Sequence, residues 1–122
     1  MTNDNRHEPA KEPNDLGRFF IERANAGDLE GLLALYTPDA VLEFPPGTVS
    51  VGTEQIRTVF EQMLASRPQF QPGQQAPALI CGDTALTSTR VAGGAVTAEV
   101  ARRQPDGSWR WVIDQANITA ER

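Results

Sequence analysis

The chain holds one histidine, His7, and one cysteine, Cys81, among 122 residues. A single cysteine excludes an intrachain disulfide, and the simplest compartment for such a chain is the cytoplasm. The pairing of Cys or Ser with His as nucleophile and base also loses its support, because the only histidine stands in a polar N-terminal stretch. Cys81 closes the apolar run Leu79-Ile80-Cys81 and reads as a small buried hydrophobe. No cluster of Cys, His, Asp or Glu keeps metal-ligand spacing around His7. No Gly-rich phosphate loop is present; Gly93-Gly94 is a turn signal. No metal or nucleotide cofactor is therefore expected. Lys and Arg form no run, and the net charge is −5, so no nucleic-acid partner is expected. No apolar run approaches the roughly 20 residues of a membrane span, no signal peptide is recognised and no internal repeat appears. No membrane partner is expected either.

What is present is one domain's worth of chain with a clear change of period. Residues 1–13 are polar and carry two prolines, so they are expected to form a flexible tail before a single domain at 14–122. Asn14 and Asp15 open a first helix, with Leu16, Phe19, Phe20 and Ala24 on one side. Gly27 stops it. Asp28 caps a short second helix that ends near Tyr36. Pro38 and Asp39 separate it from a strand, Ala40 to Phe44, which Pro45-Pro46-Gly47 terminates. Thr53 then opens a third helix, with Ile56, Val59, Phe60, Met63 and Leu64 at i, i+3, i+4, i+7 and i+8, and Pro68 ends it. A polar connection, residues 67–77, follows.

Beyond it the period becomes two. Strands are expected at Ala78 to Cys81, Thr84 to Ala92, Ala95 to Gln104 and Trp109 to Thr119, with hairpin signals at Gly93-Gly94 and Asp106-Gly107. Three helices followed by a meander make an α+β domain: a curved antiparallel sheet wrapped on N-terminal helices.

This order, with Asn25-Ala26-Gly27-Asp28, Asp39-Ala40-Val41 and Gly52-Thr53 through Ile56, resembles the SnoaL-like and ketosteroid-isomerase-like branch of the nuclear transport factor 2-like superfamily. The resemblance covers roughly residues 14–119. It implies a cone-shaped, cystatin-like α+β barrel with an apolar pocket, commonly dimeric through the sheet. It does not fix a reaction, because unrelated functions share this fold. Ketosteroid isomerases use an Asp base with an oxyanion hole of Tyr and protonated Asp. Matched on the quoted motifs, Phe44 stands at the base, Phe20 at the oxyanion-hole Tyr and Phe60 at a supporting Tyr. The oxyanion-hole Asp falls near Val100, with Glu99 one step off. Tyr36 alone keeps its hydroxyl. Phenylalanine neither takes nor gives a proton, so that machinery is absent.

The family's geometry and strand parity together imply another set of pocket residues. Leu86, Ser88 and Arg90 share one face, as do Val112, Asp114, Ala116 and Ile118. On the intervening strand Val96, Ala98, Val100 and Arg102 are expected inside. The expected lining is Phe20, Leu42, Phe44, Phe60, Leu86, Ser88, Val100 and Ile118, with Asp114, Arg90 and Tyr36 as the catalytic candidates. Asp114 interrupts an apolar strand, where propensity disfavours it. Desolvation there raises a carboxyl pKa and suits it to acid–base work. Arg90 is expected either to pair with Asp114 or to lie at the surface. Trp109 and Trp111, opposite Asp114 by parity, are expected on the outer sheet face as a homodimer interface.

Two functions follow. One is a cofactor-free isomerase, cyclase or dehydratase acting by proton transfer on a small apolar or polyketide-like molecule. The other is a hydrophobic ligand-binding or dimerisation module without turnover. An Asp114 that faces a cavity supports the first, and a collapsed, phenylalanine-filled interior supports the second.

Overall fold

A computed structural model describes residues 7–122. Helix α1 spans Asp15–Asn25, α2 Leu29–Leu33 and α3 Gly52–Ala65. The strands are β1 Tyr36–Glu43, β2 Val49–Val51, β3 Gln74–Gln75, β4 Leu79–Cys81, β5 Thr84–Thr87, β6 Thr89–Arg90, β7 Ala98–Arg103 and β8 Trp109–Gln115. Six strands form one sheet in the order β2-β1-β8-β7-β5-β4, while β3 and β6 make a separate two-stranded ribbon. The expected α+β architecture is present. One pairing departs from the antiparallel expectation: β1 runs parallel to β8, so the first and last long strands lie side by side.

Local chemistry places the elements. Asp28 caps α2, accepting the Gly31 N–H at 3.0 Å. Helix α1 is started differently from expectation. The Asn14 side chain caps nothing and instead donates to the Ala76 carbonyl, tying α1 to the connection after α3. Asp15 accepts the N–H groups of Lys11 and Glu12. At α3 the capping residue is Val51 rather than Thr53, and its N–H donates to the Gln55 side chain. Tyr36 is the first residue of β1, not the end of α2.

The core lies between the helices and the concave face of the sheet. Leu16, Phe19, Leu32, Ile56 and Phe60 from the helices meet Leu42, Ala85, Ala101, Trp109 and Trp111 from the strands. At roughly 25 cal/mol per Å² of apolar surface, such burial is the main stabilising contribution. The expected tail reaches into this layer. Residues 1–6 lie outside the described residues, but Ala10 is buried and its carbonyl accepts the Trp109 N–H at 2.9 Å. The buried Arg23 guanidinium donates to the carbonyls of Glu8 and Gly31. The packed unit therefore begins before residue 14.

Two register shifts decide which side chains face inward. The partners of Ala101 and Val100 on β8 are Trp111 and Ile113, leaving Val112 as an extra residue in a bulge. A bulge reverses parity. Trp109, Trp111 and Asp114 consequently share the concave face, and both tryptophans are buried. The expectation of an outer-face tryptophan interface is thereby corrected. A second shift lies between Tyr36 and Val41 on β1.

Candidate functional site

Strands β5, β7, β8 and β1 place four polar side chains together on the concave face. Glu99 and Asp114 are direct cross-strand partners, Thr87 is opposite Glu99, and Leu42 is opposite Asp114. Side chains opposite one another on neighbouring strands stand about 5 Å apart at Cβ. Both carboxyls are closed off from solvent, Glu99 at 5% and Asp114 at 6% exposure.

Each carboxyl is held by a hydroxyl. The Tyr36 hydroxyl donates to Asp114 Oδ2 at 2.5 Å. The Trp111 indole N–H donates to Thr87 Oγ1 at 3.2 Å, and Thr87 Oγ1 donates to Glu99 Oε1 at 2.7 Å. An indole nitrogen is only a donor, so the Thr87 hydroxyl is left to direct its own proton at the glutamate. Among the described residues, no arginine, lysine or histidine makes an ion pair with either carboxyl.

Two buried acids without a counter-ion resist ionisation. Burial pushes the Asp114 pKa up to about 6, opposed by the Tyr36 hydrogen bond. Burial, then the charge of Asp114, pushes Glu99 up to about 7, opposed by threonine hydroxyls. The Tyr36 phenol is raised well above its ordinary value by burial and by the charge of Asp114, so it remains a proton donor. Neighbouring carboxyls of this kind titrate as a pair. Near neutral pH the arrangement can hold one acid beside one base.

Aromatic rings surround this group. Phe60 and Trp111 lie 5.6 and 5.5 Å from the Tyr36 ring, and Phe20 lies 5.9 Å from Phe60 and 6.3 Å from Trp111. Phe20 and Phe44 are partly buried against the core, and Phe60 is fully buried. These positions, with Leu42, Tyr36 and Asp114, stand on the core side of the sheet.

The rest of the expected lining stands elsewhere. Leu86 and Ile118 are exposed. Val100 shares the Leu86–Ile113 row on the convex face. Ser88 donates to the Thr97 carbonyl. Arg90 lies exposed on the β3–β6 ribbon and makes no bond to Asp114. The parity of β5 and β7 is thus opposite to that inferred from their apolar residues, because the apolar residues face out and Thr87, Glu99, Ala85 and Ala101 face in. Glu99 and Thr87 are absent from the expected lining. A signal for them existed in Thr87, Glu99 and Asp114, three polar residues spaced to meet across adjacent strands.

Two depressions mark the surface. The larger, about 490 Å³, is lined by Asp83, Arg103, Gln104, Pro105 and Gly107. The smaller, about 60 Å³, lies under the N-terminal segment beside Arg23 and Trp109. Neither is lined by Asp114 or Glu99: the space beside them is filled by Phe20, Phe60 and Trp111, the closed interior expected of a binding or dimerisation module, so an enzyme reading requires that interior to open. No group of three or more His, Cys, Asp or Glu placed to hold a metal occurs among the described residues.

The SnoaL-like domain family model matches residues 17–120, and the chain belongs to that family. Solved structures share its fold. A calcium/calmodulin-dependent protein kinase II association domain, provisionally assigned, from Thiobacillus denitrificans has TM-score 0.75 at 17% identity, covering 88% of this chain and 96% of that one. A provisionally assigned dehydratase of the NTF2-like family from Streptomyces avermitilis has TM-score 0.71 at 20% identity, covering 98% and 100%. A SnoaL-like protein of unknown function from Burkholderia thailandensis has TM-score 0.60 at 24% identity, covering 88% and 96%. At these identities the likeness concerns the fold alone. No curated protein matches the chain in sequence.

Proposed function

We propose that this chain is a cofactor-independent acid–base protein of the isomerase, cyclase or dehydratase kind, acting on a small apolar molecule. The observation that carries this reading is the Glu99–Asp114 pair: two buried carboxyls on adjacent strands, without a cation, with pKa values pushed toward neutrality. Burying such groups is costly, and sites that shift carboxyl pKa values apart are those where one acid and one base work together. In this reading the ionised carboxyl removes a proton from a carbon beside a carbonyl. The protonated one gives its own proton at another position or to a leaving hydroxyl, so the two carboxyls exchange protonation states, while the Tyr36 O–H, given to Asp114, holds that carboxyl in position. Glu99 takes the partner role first expected of Arg90. The dehydratase assignment of the Streptomyces neighbour is compatible with this chemistry.

The test begins with extraction and mass spectrometry of any molecule retained by the purified protein. Hydrogen–deuterium exchange at its enolisable carbon in D2O is then followed by NMR. Asp114→Asn is expected to lower the exchange rate at least ~100-fold, and the wild-type rate is expected to rise with pH through about 6. Full exchange in Asp114→Asn removes the reading.

A second reading, self-association, rests on the convex face. Val51, Val41, Ile113, Val100, Leu86 and Leu79 stand in register across all six strands. We propose that this row, rather than Trp109 and Trp111, is the homodimer surface. Contiguous exposed apolar surface of this kind marks an interaction site. No helix among the described residues is long and apolar enough to cross a membrane. Cys81 is exposed on β4 rather than buried as expected, and a cytoplasmic location is proposed on that free thiol.

A further inference from the structure

The buried carboxyls are shut off from solvent, and the connection between α3 and β4 lies over the aromatic rings beside them. That connection runs back along α1 and is pinned near both ends of the helix. Beside the N-terminus, Asn14 Nδ2 donates to the Ala76 carbonyl and Gln75 Nε2 donates to the Asn14 carbonyl. Beside the C-terminus, Asn25 holds Phe70 from both sides: the Phe70 N–H donates to Asn25 Oδ1 at 2.7 Å and Asn25 Nδ2 donates to the Phe70 carbonyl at 2.9 Å. Between Pro68 and Gly73 these are the only hydrogen bonds of the backbone among the described residues. Gln69, Gln71 and Pro72 are exposed. Pro68 and Phe70 are half-buried, and Phe70 packs against the core with its ring 6.3 Å from that of Phe20.

The rings form a continuous column. Phe70 meets Phe20, Phe20 meets Phe60 and Trp111, and both of these meet Tyr36, whose hydroxyl holds Asp114. Phe70 is the outermost member, and the one not borne on a helix or strand. The segment carrying it is bounded at each end by an unusual backbone feature. Arg67 sits at φ +51°, a left-handed conformation uncommon for a residue with a side chain. Gly73 lies so close to the Arg90 carbonyl that a Cβ would approach it to 2.6 Å, which fixes the other end against β6.

We propose that residues 68–72 are a gate with Phe70 as its plug and Asn25 as its latch, and that the ligand carries a planar apolar ring that displaces Phe70 from Phe20. The proposal deepens the reading of Glu99 and Asp114 as the working site and rests on it. A two-bond latch and a half-buried ring favour the closed state by an amount that a ring of similar size can repay on binding. The ligand's affinity is lowered by the fraction of time the gate stays closed.

The probe is 2-naphthol, titrated into the full chain by its fluorescence, with ring-current shifts at Phe20 and Trp111 read by NMR. Asn25→Ala and Phe70→Ala are each expected to tighten binding roughly tenfold, as loss of a two-bond latch or of the competing ring implies. Gln71→Ala, exposed on the same segment, is expected to bind as wild type does. Equal affinity in wild type and both gate variants overturns the gate. So does absence of binding in all three, or shifts confined to residues such as Arg103 and Gln104. Asp114→Asn separates the two readings: full exchange activity with a working gate fails the chemistry alone, whereas lost exchange with unresponsive gate variants fails the gate alone.

Discussion

The two faces of the six-stranded sheet carry opposite chemistry in the wrong places. The concave face, packed against the helices, holds two carboxyls, a phenol and a threonine hydroxyl among its aromatic rings. The convex face, open to solvent, carries aliphatic side chains in register, with Leu79, Leu86 and Ile113 among those exposed. Neither choice helps an isolated monomer. Buried carboxyls without a cation cost stability, and an exposed aliphatic row invites association. Departures of this sort from consistent patterning are expected at functional sites. The first face carries the proposed ligand site and the second the proposed homodimer surface.

The contrast is broken most strongly on the convex side. Ile113→Asp places a charge at the centre of the row in both copies of a symmetric pair. Self-association measured by sedimentation is expected to weaken by at least ~100-fold, with the circular dichroism spectrum unchanged. A wild-type protein that is monomeric at high concentration removes the interface.

Asp114→Asn tests the concave side. In the folded chain Asp114 and Glu99 hold protons up to about 6 and about 7, whereas unfolded carboxyls release theirs near pH 4. The folded state therefore binds more protons between roughly pH 4 and 7, and stability falls as pH rises through that window. Above it the penalty is complete. Asn cannot ionise and still accepts from Tyr36 through its amide oxygen. Asp114→Asn is expected to be more stable than wild type at pH 8, by on the order of 2 kcal/mol, with the difference vanishing near pH 4. Urea denaturation at the two pH values reads this directly, and equal stability at pH 8 contradicts it.

Thr87→Val sharpens the same comparison on a smaller scale. It leaves the Trp111 N–H without its acceptor and removes one of the threonine hydroxyls that favour ionised Glu99, at a cost of ~1–3 kcal/mol. The Glu99 pKa is expected to rise further, measurable by carbon-13 NMR of the carboxyl, because a bond that favours the charged form is lost.

The smallest effect belongs to the sheet rim. Arg122 donates to both oxygens of Glu43, holding that carboxyl down to about 2. Arg122→Ala is expected to return Glu43 toward 4.5, its ordinary value. Whatever stability the pair supplies is present above the unfolded pKa and lost as pH falls through about 2. Global stability at pH 7 is expected to change little, since exposed ion pairs contribute little.

Much of the fold was legible along the chain. Periodic apolar residues located α1 and α3, Asp28 located the start of α2, and the glycine and proline turns separated the strands. Of the site, Asp114 was legible as a polar break in an apolar strand, and Tyr36 as a retained hydroxyl. Glu99 and Thr87 were not. Period-two patterning says which residues share a face, but it does not say which face is inside when both are apolar. On β5 and β7 the more hydrophobic set, Leu86 and Val100, faces out. On β8 the bulge at Val112 changes phase within the strand, bringing Trp109 and Trp111 to the side of Asp114.

The sequence by itself determined the class of fold and the order of most of its elements, because helix caps, turn glycines and hydrophobic period act over a few residues. Only the tertiary structure decided that Glu99 meets Asp114, that Tyr36 caps the aspartate, and that Phe70 closes the aromatic column. Those meetings join residues 15 to 78 positions apart, through a parallel β1–β8 pairing and a one-residue bulge. A one-residue shift in register exchanges the two faces of a strand, and that choice is made by packing across the whole sheet rather than by any segment of the chain alone.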